Sequence, residues 1–126
     1  MTASRKIEDL RNLWLGYALF AAIADLIHNG FHGDALRQAV IGFLVMCGIA
    51  WFFASKLQAK SSVAWAFWVV GAVLGVAVNG LNILSLFADG GRFELLPFVR
   101  WVVAIYFHIV TFRTLRDPDV KLFVMT

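Results

Sequence analysis

Asp25, His28, Asn29 and His32 follow one another at intervals of three, one and three residues. On a helix turning 100° per residue they would share one face, within roughly 100° of arc. A His-x-x-x-His pair on such a face can ligate a metal ion, and a neighbouring carboxylate can add an oxygen ligand. His28 and His32 are therefore candidate metal ligands, with Asp25 beside them. The same stretch holds Asn29-Gly30, a pair that commonly ends helices because glycine supplies the left-handed C′ residue. A helix that stops there would leave His32 in a loop, and the four-residue spacing would lose its meaning.

Two further sets have the same helical logic. Arg100, Ala104, His108 and Thr111 fall within about 80° of arc. A small residue between Arg100 and His108 leaves room for water or a ligand. A histidine so placed can relay protons, ligate haem or simply bond a neighbour. Gly71, Gly75, Asn79 and Asn82 form the other set, spaced four, four and three apart on one face. Its glycines permit close approach of another helix, as small-xxx-small faces do in membranes. Its two amides are suited to bind a ligand or to bridge helices by hydrogen bonds.

These residues lie in an unusually apolar chain of 126 residues, 61% hydrophobic and only 15% charged, with a mean hydropathy of +0.79. Soluble domains are nearer 45–50% apolar and about 25% charged. The charges are clustered, leaving four long runs at about 12–30, 36–55, 63–88 and 95–113. Each run meets the ~20 residues that a ~30 Å hydrocarbon core requires. Backbone polar groups in lipid must be satisfied within the segment, so all four are expected as helices. The connections, 31–35, 56–62 and 89–94 (with a Gly90-Gly91 turn), are short. The expected fold class is thus all-α: one transmembrane domain over 1–126, an antiparallel four-helix bundle.

Orientation follows from the basic residues. Arg5, Lys6, Arg11, Lys56, Lys60, Arg113, Arg116 and Lys121 flank one side, eight in all, against Arg37, Arg92 and Arg100 on the other. The positive-inside bias then puts both termini in the cytoplasm, in the inner membrane if the host is bacterial. Trp14, Trp51 and Trp65 fall near the same side, as an aromatic belt would. The net charge of +3 is accounted for by these anchors, so no nucleic-acid partner is expected. Cys47, the single cysteine, excludes an intramolecular disulfide and reads as a small buried hydrophobe.

In this frame Asp25 lies roughly 7 Å inside the outer boundary, where ionisable residues are functional candidates. Arg100 enters the fourth span to a matching depth and is its expected partner. The pair could lock two helices together or bind an ion. With His28, Asn79, Asn82 and His108 the two define a candidate ligand or ion pocket. The leading expectation is a small integral membrane protein that binds or conducts a small ion, a proton or a small ligand. Four short helices enclose a pore poorly, so conduction would require a homo-oligomer or other membrane subunits. One alternative is an accessory subunit of a larger membrane complex. Another is an intramembrane enzyme using Asp25 or His28 as acid or base on a lipid-like substrate. No Cys-x-x-Cys, phosphate-binding glycine loop, nucleophile elbow or His-Glu-x-x-His occurs, and no motif specifies a cofactor.

Overall fold

The computed structural model describes residues 2–88 and 94–126. The Gly90-Gly91 turn and Arg92 lie outside the described residues. The described chain folds into five helices: α1 (Ala3–Asn29), α2 (Gly33–Gln58), α3 (Ser62–Ala88), α4 (Leu95–Leu115) and α5 (Pro118–Met125). The first four are long and apolar enough to cross a membrane, the architecture of a multi-pass membrane protein.

Helix α1 begins nine residues before the apolar run does. The Thr2 hydroxyl accepts the Arg5 backbone N–H at 3.2 Å and caps the first turn. Arg5 then reaches Glu8 at 3.6 Å and Asp9 at 3.4 Å, the i,i+3 and i,i+4 spacings that support a helix in water. At the other end, Gly30 adopts φ +94° and donates its N–H to the Leu26 carbonyl at 2.8 Å. A residue with a Cβ resists that conformation. The helix therefore stops at Asn29, and His32 is the N-cap of α2, off the face that carries Asp25 and His28.

Lys60 turns the chain between α2 and α3 with a left-handed φ of 63°. The Ser61 hydroxyl accepts the Ala64 N–H and starts α3. Helix α5 has no counterpart among the four expected spans, because eight residues give too short a periodic pattern. Its start is nonetheless explicit: Asp117 caps it by accepting the Asp119 N–H at 2.9 Å, and Pro118 occupies the first turn.

Helix α1 packs chiefly against α2 and also against α4, while α3 packs chiefly against α4 and only lightly against α2. The main core lies at the end of the molecule capped by α5. There Ile7, Leu10, Leu57, Leu115, Val120 and Val124 are buried together. Ile7, Leu10 and the α5 valines flank the spans expected at 12–113, so water exclusion drives their packing. Burial from water is worth roughly 1.5–3 kcal/mol for a large aliphatic side chain. Inside lipid that drive vanishes, and close packing and hydrogen bonds must hold helices together.

The same end gathers the polar ties. Ser4 donates to the Gln58 side chain at 2.9 Å. Lys6 Nζ bridges Asp117 at 3.1 Å and Asp119 at 3.2 Å. The Asp119 N–H, followed by the Lys6 ammonium, holds the Asp117 carboxyl below the usual carboxylate range. Trp65 donates its indole N–H to the Leu115 carbonyl at 2.7 Å, satisfying one of the open carbonyls at the end of α4. Arg11 lies 4.3 Å over the Trp51 ring.

Candidate functional site

At the opposite end, α1 and α4 form the walls of a cleft of about 300 Å³. Asp25 and Arg100 meet across it as a hydrogen-bonded ion pair through Oδ1 and Nη1. Each side chain keeps little more than a third of its exposure, 37% and 38%, so the pair is open to the cleft rather than sealed in a core. His28, one turn beyond Asp25, lines the same space, and its Nε2 lies 3.6 Å from Glu94 Oε2. Asn29 completes the polar lining, and Leu96, Pro97 and Trp101 supply the apolar wall. The buried Tyr17 also interacts with Arg100.

Helical phase explains this convergence. Asp25, His28 and Asn29 share one face of α1, and the buried Ala21 and Ala104 let α1 and α4 approach closely beneath the pair. Formal charges follow directly: Arg100 cancels Asp25, and Glu94 adds one carboxylate beside His28.

Glu94 was missed as a site residue by reasoning along the sequence. It precedes α4 immediately, at its N-cap position, in a connection whose course no periodicity specifies. Its only signal was a carboxylate near the outer end of a span. Asn79 and Asn82 do not line the cleft. Asn79 turns back along its own helix and donates to the Gly75 carbonyl at 2.7 Å, a local bond that competes with any partner across the bundle. Among the described residues no group of three His, Cys, Asp or Glu could hold a metal ion.

His108 is elsewhere as well. Its ring packs against Trp14 at a tilt of 54°, with centroids 4.9 Å apart, and lies across α3 at Gly75. A Cβ built on Gly75 would fall into the ring edge, against Nε2, Cε1 and Cδ2. Gly75 is thus a point of close helix approach, as expected. Gly71 is not: a Cβ there meets nothing within 4 Å, because Gly71 faces a second cavity, of about 270 Å³, which His108 also lines. The two cavities share no lining residue. Thr111, the last member of the α4 face, is fully buried; it accepts the Trp14 indole N–H at 2.7 Å and donates to the Phe107 carbonyl.

The arrangement thus brings two acid–base pairs, Asp25–Arg100 and Glu94–His28, into one cleft between α1 and α4. The wider comparison adds no further assignment: no protein-family model, no curated protein and no solved structure matches this chain.

Proposed function

We propose that this protein is a small integral membrane protein that binds a proton, a small ion or a small polar ligand in the cleft between α1 and α4. The Asp25–Arg100 ion pair in the wall of that cleft carries the reading, with His28 and Glu94 in contact beside it. A helix lock alone would not need a second acid–base pair in the same space. The four long helices alternate in direction, with both termini cytoplasmic and the cleft in the outer half. The Ser4–Gln58 and Lys6–Asp117 contacts, which bring distant chain ends to one face, support this topology. So does the gathering of eight of eleven basic residues at that end. Passage through the membrane, as opposed to binding at its outer side, would run between protomers, since the cleft and the His108 cavity have separate linings.

Proteoliposomes loaded with a pH-sensitive dye provide the test. Wild-type protein should move protons, or respond to an added monovalent cation, above the level of empty vesicles. Asp25→Asn and Arg100→Gln should each impair folding or activity, because removing one partner strands the other's charge. The joint Asp25→Asn/Arg100→Gln variant should be folded and inactive. Wild-type vesicles indistinguishable from empty ones, together with a double variant that merely restores stability, would leave only a structural lock. A second reading, an accessory subunit, draws on α3. That helix buries only 6% of its apolar window against 33% for α1, leaving most of its surface for lipid or another protein.

A further inference from the structure

The second cavity lies apart from the cleft, among α1, α2, α3 and α4. Its volume is about 270 Å³, and its walls are aromatic: Trp14, Phe53, Phe67 and Trp68. Gly71 and the neighbouring alanines keep it open, and the light packing of α2 on α3 leaves its mouth between two apolar spans. A lipid-soluble molecule could enter there sideways from the bilayer.

Apart from the Met46 sulfur, the polar side-chain atoms of the lining residues belong to Trp14, Trp68 and His108. The Trp14 indole N–H is already donated to Thr111. The His108 imidazole and the Trp68 indole N–H have no hydrogen-bond partner among the described residues, although both side chains are half-buried. Donors set in apolar walls call for an acceptor on the occupant. An ion would lose its hydration there without compensation, so the occupant is neutral. Aromatic walls favour a ring. A dry cavity of ~150 Å³ accommodates benzene, so this larger one has room for a ring with several substituents.

We infer that the cavity binds the ring of a lipid-soluble molecule carrying a carbonyl oxygen, the chemistry of an alkyl benzoquinone, with the oxygen accepting from His108 or Trp68. The tail leaves between α2 and α3. Binding alone is inferred, with no electron transfer.

A decyl-substituted benzoquinone titrated into nanodisc-embedded protein should quench tryptophan fluorescence with saturation, since two indoles line the cavity. Gly71→Leu, which fills the space, should abolish the saturable component while circular dichroism and size-exclusion profiles stay unchanged. His108→Phe keeps a ring against Gly75 and should weaken binding about three- to tenfold, the loss of one hydrogen bond. An independent measurement uses wild-type protein only. Photolabelling with benzophenone, itself a ring ketone, should attach at Met46 and its neighbours in the lining. The quinone should compete for this labelling and decylbenzene, which lacks the oxygens, should not. Quenching that stays linear and is identical in Gly71→Leu would overturn the site. So would labelling spread over exposed residues such as Leu44 and Leu74 without competition. Equal competition by decylbenzene would overturn the role of the carbonyl. The joint Asp25→Asn/Arg100→Gln variant, which stays folded, should leave every one of these signals intact, which separates this site from the ion cleft.

Discussion

Gly71 and Gly75 occupy the same face of α3 one turn apart, yet the structure predicts opposite consequences for adding a methyl group. Alanine gains roughly 0.5–1 kcal/mol over glycine in a helix interior, and that gain is common to both positions. It cancels in their difference. What remains is packing. The new Cβ at Gly71 meets nothing within 4 Å, whereas at Gly75 it collides with the His108 ring. The ring has little freedom to withdraw, because it packs 4.9 Å from Trp14 and Trp14 is tied to Thr111. Overpacking of this kind costs about 1–3 kcal/mol. Gly75→Ala should therefore be less stable than Gly71→Ala by that amount, measured by reversible unfolding in mixed detergent micelles. Shortening the imidazole should reverse the sign: in a His108→Ala background, Gly75→Ala should become as favourable as Gly71→Ala. If the two glycine variants agree within about 0.5 kcal/mol in the wild-type background, the contact between α3 and α4 is not where the structure puts it.

Other outcomes follow from single contacts. Thr111→Val keeps the shape of a fully buried residue but strands the Trp14 indole N–H, and should cost about 1 kcal/mol in the same unfolding assay. The depressed carboxyl of Asp117 gives stability that is complete above the ordinary carboxylate pKa, about 3.9. That stability disappears as pH falls through the lower folded value, so α5 should become sensitive to an acid-active protease in that window, and Asp117→Asn should flatten the difference. Reporter fusions after residues 33, 59 and 126 should read outside, inside and inside; a cytoplasmic signal at 33 would reverse the assigned orientation.

The four long helices were legible because lipid leaves the backbone no other choice, and charge-poor runs of about 20 residues are hard to miss. Their boundaries were less so. Helix α1 starts at Ala3 because a threonine cap and local ion pairs extend it through water, where hydropathy carries no signal. The Asp25–Arg100 contact was readable from equal depth and opposite charge. Asn79 shows the limit of such reasoning: the pattern places it on a face but does not decide between a partner across the bundle and its own Gly75 carbonyl. Neither the Glu94–His28 contact nor the separation of His108 into another cavity leaves a periodic trace. Both depend on how far α2 and α3 stand apart and on where the chain enters α4.

The Lys6 bridge to Asp117 and Asp119 joins residues 111 and 113 positions apart in the chain. Every membrane crossing between them changes the side on which the next segment emerges, so the bridge requires an even number of crossings. A span that failed to insert, or inserted twice, would strand lysine and aspartates on opposite sides of the bilayer. Val120 and Val124 would then lose the cover they receive from Ile7 and Leu10 and face water. A correctly threaded chain thus covers Val120 and Val124, and a misthreaded one would display them as an apolar stretch of the kind that chaperones and proteases recognise.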